Sequence, residues 1–394
     1  MERLVLVLIT LVHSMRTAHC AGLVDDFNIV SNGGALPAKW AVSGITFTAG
    51  RYCPNVTMGS DKALWSLDHL ASTGATHVSL VVTNYQHSIN TTKIFPLYNA
   101  SQVPSEYGYY VHVTVSEEDL VRAIRHAKSR NLSVMLKPHV DPLTDNAPIG
   151  NTWRGQIGEY FGDQQWDEWF ESYWSMLKRY ATIARAEGVE ILSMNCELIS
   201  ANNQTRRWRE LVEETRKLVG KDVALTTSPN GHGHENWVEW YDVLDIIGVD
   251  WYDRINGTTL HEMVESWSPY LAHLEGISTK FGGKPLMMTE MGVCSGLNGC
   301  DRNKDATPAS RQHQAMRYEA LFLATAGKGD WFLGGFWWNW DSDPAVGWGE
   351  DANDSCLSPA WKPAESILRK YYRASQPVPI LPEGMRESQC VCTT

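Results

Sequence analysis

Apolar segments typical of β-strands alternate with segments of helical spacing along most of the 394-residue chain. About eight segments of each kind follow one another, as the hydrophobic periodicity indicates. This order predicts parallel strands, because the connection between two parallel strands needs a crossover that is usually a helix. We therefore predict an α/β fold, a (β/α)₈ TIM barrel in a single domain over residues 21–375. Residues 376–394 are predicted to be an irregular C-terminal tail.

The main alternative fold is an open, doubly wound sheet. Such sheets often bind a nucleotide at a glycine-rich loop after the first strand. The chain contains no G-x-G-x-x-G and no Walker sequence. The closed barrel is therefore the preferred prediction.

The N-terminus has the features of a secretory signal peptide over residues 1–20. Arg3 precedes an apolar run from Leu4 to Val12, and small residues near Cys20 suit a cleavage site. The run is too short to span a bilayer. We expect a secreted, extracellular glycoprotein, because the chain also carries seven N-x-S/T sequons. They are at Asn55, Asn90, Asn99, Asn131, Asn203, Asn256 and Asn353.

The cysteines suit an oxidising compartment. Of the 8, Cys20 is expected to leave with the signal peptide, and Cys196 reads as a small residue of a buried strand. The others form an even set, as a disulfide framework requires. Cys294 and Cys300 lie in one glycine-rich loop and are predicted to pair; the remaining connectivity stays open.

The net charge limits the possible partners. At −11, the chain lacks the basic excess that binding to a nucleic-acid backbone requires. A neutral substrate such as a polysaccharide is compatible with this charge. We expect no nucleic-acid or membrane partner, no cofactor and no metal, and a monomeric protein.

Two glutamates stand at the ends of apolar strands. Glu197 closes the segment ILSMNCELIS, and Glu290 closes KPLMMTEMG. A buried carboxylate is costly unless it has a partner or a chemical role. In a barrel, both strand ends face the same mouth, where functional groups collect. Two carboxyl groups at one mouth are what hydrolysis of a glycosidic bond requires.

Other polar and aromatic residues are predicted at the same mouth. They suit a carbohydrate cleft, because indole rings stack on sugars while polar groups bind hydroxyls. On this reading the third strand contributes Lys137 and His139, the fourth Asn195, the sixth Asp250 and Tyr252, and the eighth the residues from Trp337 to Asp341.

The motifs MNCELIS and MMTEMG, with KPHVDP, NTWRGQI, GVDWYD and GGFWWNWDSDP, resemble glycoside hydrolase family 113. The resemblance extends from about Gly44 to about Pro344, as an ordered set of motifs. It implies a retaining endo-β-1,4-mannanase of the clan A barrel enzymes. It also implies that Glu197 is the general acid/base and that Glu290 is the nucleophile.

The resemblance implies roles for further residues as well. Tyr252 would hold the nucleophile ionised, and Trp338 or Trp340 would form the floor of the subsite for the reacting sugar. The residues implied to contact neighbouring hydroxyls are Lys137, His139, Trp153, Arg154 and Asn195. Most clan A enzymes have Asn directly before the acid/base, where this chain has Cys196. Because strand side chains alternate, we expect Asn195 to point with Glu197 and to take that role.

The predicted function is therefore hydrolysis of β-1,4-linked mannan or glucomannan by a two-glutamate double displacement. One alternative is a clan A β-glycanase directed at glucan. Another is a carbohydrate-binding barrel without catalysis, although such a protein would be expected to have lost one of the two glutamates. The mannan assignment depends on the resemblance, because fold alone does not fix function.

Overall fold

The computed structural model describes residues 36–49, 56–99, 113–143, 153–252, 255–296, 306–348 and 357–386. The predicted signal peptide, the sequons at Asn55 and Asn353, and Cys300 lie outside these residues. The predicted pairing of Cys294 with Cys300 therefore stays a prediction. Pro37–Thr394 forms one compact unit by its contacts.

The described residues contain eight parallel strands. They are β1 (Val42–Thr48), β2 (His77–Gln86), β3 (Ser133–Pro142), β4 (Ile191–Ser193), β5 (Ala224–Thr226), β6 (Ile247–Asp250), β7 (Leu286–Met291) and β8 (Phe332–Asp341). Their order in the sheet is β5-β4-β3-β2-β1-β8-β7-β6. A single parallel bridge, between Asn230 and Asp250, joins the two ends. The sheet is thus a nearly closed barrel, and the predicted fold class is confirmed.

Helices follow the strands. They are α1 (Asp61–Ser72), α2 (Glu117–Ser129), α3 (Asp163–Glu187), α4 (Thr205–Val219), α5 (Leu260–Ser266), α6 (Ser268–Lys280), α7 (Pro308–Ala324) and α8 (Pro363–Tyr371). Between β5 and β6, which are fully described, the chain forms only two 3₁₀ turns, His234–Trp237 and Tyr241–Val243. None of the described helices has the length and apolar character that crossing a membrane requires.

Local sequence signals explain where the helices begin and end. Ser116 caps α2 by accepting a hydrogen bond from the Asp119 N–H at 3.1 Å, a contact that contributes about 1 kcal/mol. The segment 260–280 has helical spacing throughout but forms two helices, α5 and α6, which meet at Trp267. Pro269 lies in the first turn of α6, where a backbone N–H would have no partner within the helix.

The barrel interior is apolar at its base and charged towards its mouth. A buried layer at the base consists of Val42, Met135, Ile191, Met287 and Phe336. Inward positions recur every second residue along a strand, so the next one on β3 after Met135 is Lys137. Lys137 is fully buried. A buried ammonium requires buried counter-charges, and these lie on β6 and β7, on the opposite side of the barrel from β3.

Candidate active site

A cleft of about 250 Å³ opens at the carboxyl ends of the strands. Glu197 and Glu290 both line it, so the structure brings the two predicted glutamates together. The other lining residues are Thr48, Ala49, Val81, Thr83, Val113, Val115, His139, Asp141, Trp153, Arg154, Tyr252 and Trp338.

Glu290 is held by donors on both carboxylate oxygens. It lies within β7 and is nearly fully buried. Lys137 Nζ donates to Glu290 Oε1 at 2.5 Å, and the Tyr252 hydroxyl donates to Oε2 at 2.8 Å. Burial and the Glu290 charge raise the pKa of Tyr252 well above its ordinary value, so this phenol remains a donor. Hydrogen bonds of this kind favour an ionised carboxylate.

Lys137 lies beneath Glu290 and binds a second carboxylate, Asp250. Its Nζ is 2.9 and 3.0 Å from the two oxygens of Asp250, and Thr289 Oγ1 donates to Asp250 Oδ1 at 2.7 Å. Burial alone would lower the pKa of Lys137, but the charges of Asp250 and Glu290 raise it above its ordinary value. The ammonium is therefore a fixed charge under the cleft. Lys137 does not line the cleft. The resemblance implies its contact with a sugar hydroxyl, whereas in the structure it contacts Glu290 from below.

Glu197 sits in a different electrostatic setting. It follows β4 in left-handed backbone, with φ +52°, and its N–H donates to the Ser228 carbonyl at 2.7 Å. Such backbone costs a non-glycine residue about 1–2 kcal/mol and persists where its surroundings enforce it. Asn230 Nδ2 donates to Glu197 Oε1 at 2.8 Å. Burial and the Glu290 charge raise the pKa of Glu197, against smaller opposing effects of Arg154 and Asn230.

The charge balance assigns different protonation states to the glutamates. Three carboxyl groups, Glu197, Asp250 and Glu290, surround one ammonium, that of Lys137. Binding of one proton by the group relieves the repulsion between like charges. Burial and the Glu290 charge raise the pKa of Asp250 as well, but Lys137 opposes this, because Asp250 and Glu290 each accept a hydrogen bond from the ammonium. Within the described residues, Glu197 has no salt-bridge partner and accepts from a neutral amide instead. Glu197 is thus the carboxyl best suited to carry the proton, and Glu290 the one best suited to stay ionised.

Arg154 and His139 form the wall beside Glu290. Arg154 donates two hydrogen bonds to the Asp141 carboxylate, at 2.8 and 2.9 Å, and a third to His139 Nδ1 at 2.7 Å. Because guanidinium can only donate, His139 Nδ1 accepts, and the ring proton lies on Nε2, 3.6 Å from Glu290 Oε1. The His139 ring stacks on Trp338 with centroids 6.1 Å apart.

The two tryptophans implied for the sugar floor lie in different places. Trp338 lines the cleft, together with Trp153. Trp340 is buried behind the sheet, where its Nε1 donates to Ser66 Oγ of α1 at 3.1 Å. Strand alternation would put Trp338 and Trp340 on one face. The register shifts between β1 and β8, where Ile45 pairs with Trp337 but Phe47 with Trp340, so an extra residue on β8 breaks the alternation.

The expected orientations of Asn195 and Cys196 are reversed. Asn195 is fully buried outside the cleft, where its Oδ1 accepts from Thr227 Oγ1 at 2.7 Å. Cys196 Sγ instead lies 3.5 Å from Asp250 Oδ2 and 3.7 Å from Glu290 Oε1. The alternation rule fails because β4 already ends at Ser193 and the chain then turns into left-handed backbone at Glu197.

Among the described residues, two sets of side chains have metal-ligand geometry. They are His139, Cys196 and Glu290, and Cys196, Glu197 and Asp250, with ligand atoms within 4.8 Å of one another in each set. Lys137 already binds both Glu290 and Asp250, and Arg154 Nη1 donates to Cys196 Sγ at 3.1 Å. A metal ion would have to displace this ammonium, so the donor set fits Lys137 better than a second cation.

Asn230 is the functional residue that the sequence analysis missed. It lies four residues beyond the end of β5, in the segment SPNG, and no role was predicted for it. Its position at the mouth, next to Glu197, follows from the fifth strand being in the same barrel. A polar amide shortly after a strand end is the signal that would have found it.

Comparisons with known proteins agree with this site. The sequence matches the family described as Glycoside Hydrolase Family 113 over residues 47–354. A search of curated proteins finds no match. The structure is similar to a family 113 β-1,4-mannanase, with a TM-score of 0.67 and 26% identity, over 85% of this chain and 99% of that one.

Two further structures are informative. One is the family 113 β-mannanase AaManA from Alicyclobacillus acidocaldarius in complex with ManMIm, with a TM-score of 0.67 and 26% identity over 86% of this chain and 98% of that one. The other is a β-glucuronidase from Faecalibacterium prausnitzii, with a TM-score of 0.54 and 16% identity over 86% of this chain and 49% of that one. The latter shares the fold alone. With the match over residues 47–354, the chain belongs to glycoside hydrolase family 113 and is a glycoside hydrolase.

Proposed function

We propose that this protein is a retaining endo-glycosidase that hydrolyses β-1,4-linked mannan or glucomannan. One observation carries the proposal: Glu197 and Glu290 line one cleft in opposite electrostatic settings. Glu290 has an ammonium and a phenol as donors, whereas Glu197 has a neutral amide and a raised pKa. Paired carboxyl groups whose environments push their protonation states apart are typical of acid/base and nucleophile pairs.

The first step transfers the sugar to the protein. Glu197 donates its proton to the glycosidic oxygen while the Glu290 carboxylate attacks the anomeric carbon. The bond between that carbon and the leaving oxygen breaks, and an ester to Glu290 forms. The negative charge of Glu290 raises the pKa of Glu197 before the reaction. When Glu290 becomes an ester it loses this charge, and the pKa of Glu197 falls as Glu197 gives up its proton. Lys137 and Tyr252 orient Glu290 for the attack.

The second step releases the sugar. Glu197, now a carboxylate, takes a proton from water, and the oxygen of that water attacks the anomeric carbon. The ester bond breaks, and Glu290 regains its charge next to Lys137. Two inversions at the same carbon give net retention of configuration. The ammonium at 2.5 Å stabilises the departing carboxylate, which favours this step.

The substrate assignment draws on the cleft and on the relatives. Trp153 and Trp338 offer indole faces to a sugar ring. Among the described residues that line the cleft, Arg154 is the one guanidinium, and it is bound to Asp141 rather than held free for an acidic sugar. The similar structures at 26% identity are β-1,4-mannanases. A glucan-directed enzyme of the same mechanism is the alternative. A non-catalytic binding barrel is disfavoured, because it would not need two glutamates in contrasting settings.

We also propose that the protein is secreted. The support is the leader-like N-terminus in the sequence and the placement of the sequons. Five of the seven sequon asparagines lie in the described residues, and all five are exposed, as attachment of a glycan requires. They are Asn90, Asn99, Asn131, Asn203 and Asn256. Expression in a eukaryotic secretory host, with and without removal of N-glycans, tests this by recovery from the medium and by a shift in mass.

The deciding experiment for the activity is incubation with mannan, glucomannan, cellulose and xylan oligosaccharides. The products are separated by size, and NMR identifies the anomer formed first. Short β-anomeric manno-oligosaccharides are expected. An α-anomer as first product would refute the double displacement. Release from glucan alone would keep the mechanism and change the substrate, and binding without cleavage would refute the enzymatic proposal.

A further inference from the structure

The loop that follows β5 carries an exposed tryptophan beside the acid/base candidate. We call residues 227–237 the β5 loop. Trp237 is 47% exposed, and it ends the 3₁₀ turn His234–Trp237. A single exposed indole is common at a protein surface, but on the loop that also carries Asn230 its face is available for stacking on a sugar ring.

The β5 loop is fixed by internal contacts. Glu235 is fully buried and accepts hydrogen bonds from the Gly233 N–H at 2.7 Å and from His273 Nε2 at 2.6 Å. Gly233 has φ +116°, a backbone angle that favours glycine. His232 Nε2 bonds the Tyr252 carbonyl at 2.8 Å, which ties the loop to the end of β6. The exposed indole is therefore presented from an anchored turn.

A chain of short contacts joins Trp237 to Glu197. Asn230 donates to Glu197 at 2.8 Å, and its own Oδ1 lies 3.4 Å from His234 Nδ1. The edge of the His234 ring meets Trp237, with centroids 5.2 Å apart and planes at 85°. The indole and the imidazole thus extend from Glu197 along the mouth of the barrel.

The position of the cleft determines which part of a substrate reaches this loop. The cleft extends from Glu197 and Glu290 towards β1, β2, β3 and β8, where Thr48, Thr83 and Trp338 line it. The sugar attacked by Glu290 occupies this enclosed side. Glu197 protonates the oxygen of the leaving group, so the leaving-group sugars lie on the other side of Glu197. The β5 loop stands on that side.

We propose that Trp237 and His234 form a subsite for the leaving-group sugars of the β-glycan. The inference builds on the proposed glycosidase function. Trp237 presents an aromatic face for stacking on a pyranose ring, and His234 offers ring nitrogens for its hydroxyls. Asn230 contacts both His234 and Glu197, so a sugar bound at the subsite would also help to orient the carboxyl group that protonates the leaving oxygen.

The test compares two substrates of the same enzyme. One is mannopentaose, which has sugars on both sides of the cleaved bond. The other is a nitrophenyl β-mannobioside, whose leaving group is a phenol and does not need the β5 loop. Trp237→Ala is expected to lower kcat/KM for mannopentaose about tenfold, the size of one aromatic stacking contact. It should leave kcat/KM for the nitrophenyl substrate within about twofold.

Trp237→Phe is the matched control, because it keeps an aromatic face and should retain most of the activity on mannopentaose. Equal losses on both substrates, or no loss on mannopentaose, would overturn the subsite. An equal loss with Trp237→Phe and Trp237→Ala would also overturn it, since stacking would not be the cause. If the unaltered enzyme cleaves neither substrate, the proposed function fails and the subsite with it. This outcome is distinguishable from failure of the subsite alone, because it is seen without any substitution in the β5 loop.

Discussion

The buried ammonium of Lys137 allows a sharp test of how Glu290 is kept ready for attack. Lys137 Nζ lies 2.5 Å from Glu290 Oε1 and 2.9 Å from Asp250 Oδ1. Lys137→Met keeps a similar volume and removes the charge. Two nearly fully buried carboxyl groups then remain without their shared cation.

The cost follows from the loss of this pairing. Breaking a buried ion pair by removing one partner destabilises a protein by about 3–5 kcal/mol. The two carboxyl groups can relieve part of the cost by binding a proton, and 3–5 kcal/mol corresponds to about 2–3.5 pH units. We therefore expect the acid limb of the kcat/KM profile to rise by about two units or more.

The pH dependence of stability gives an independent measure. Burial already raises the pKa of Asp250, and removal of Lys137 raises it further. The folded variant then binds a proton more tightly than the unfolded chain. Its stability is retained below the unfolded carboxyl pKa, about 4, and is lost as pH rises through the folded pKa. Urea unfolding at pH 5 and pH 8 should show the larger deficit at pH 8 (two points chosen to bracket the expected shift of about 2–3.5 units).

Lys137→Met with Asp250→Asn provides the control. The double variant removes one positive and one negative charge, so Glu290 keeps the net charge of its surroundings. It should recover part of the stability at the higher pH and lower the acid limb again. A deficit of equal size at both pH values would show that packing, not charge, is the cause. Failure of Asp250→Asn to recover either quantity would refute the electrostatic role assigned to Lys137.

Further predictions concern the two glutamates and the two tryptophans. Glu290→Ala should abolish turnover while circular dichroism shows the fold retained, with a lowered free energy of unfolding because Lys137 loses one of its two carboxylate partners; substantial residual hydrolysis would remove Glu290 from the nucleophile role. The pH profile of kcat/KM should be bell-shaped, and Glu197→Gln should remove its alkaline limb when a nitrophenyl substrate is used, because the raised pKa belongs to Glu197. In the parent, the raised folded pKa of Glu197 means that the free energy of unfolding falls as pH rises; Glu197→Gln lacks this dependence. The variant should therefore match the parent near pH 4 and be more stable than the parent by about 1 kcal/mol at pH 8. A larger advantage over the parent at pH 4 than at pH 8 would contradict this. Trp338→Ala should reduce kcat/KM by about tenfold or more, whereas Trp340→Phe should mainly lower the free energy of unfolding, by about 1–2 kcal/mol, as the bond to Ser66 is lost. Calorimetry and initial rates on both variants would separate the two roles, and the reverse pattern would contradict the placement of the rings.

The fold and the two glutamates were predictable because their signals are local. Glu197 and Glu290 each follow an apolar run, and parallel strands put the carboxyl ends of all strands at one mouth. Glu197 and Glu290 accordingly lie together. Helix boundaries depend on more than periodicity, as at Trp267, where α5 ends and α6 begins within one periodic segment.

The orientations of several side chains were not predictable because they depend on register. Alternation requires an unbroken strand, but β4 ends before Asn195 and β8 gains a residue before Trp340. Lys137 was expected to contact a sugar hydroxyl, because the sequence shows that it lies near the end of a strand but not how far below the cleft its side chain is buried. Its depth is set by the carboxyl groups of other strands, Asp250 and Glu290, which approach only in the folded barrel.

The opening between β5 and β6 has a consequence for how this enzyme loses activity on heating. No regular ladder joins the fully described strands β5 and β6: the bridge between Asn230 and Asp250 and two further backbone hydrogen bonds, both to the Leu225 carbonyl, span the gap. Gly248 lets the Thr227 carbonyl approach where a Cβ would not fit. Local opening favours the parts of a structure where hydrogen bonding between strands is interrupted. Asn230 orients Glu197, the proton donor, and Asp250 binds the ammonium of Lys137, so both residues of the bridge also support the active site. Amide exchange should therefore be fastest along this seam, and catalysis should fade before the rest of the barrel melts.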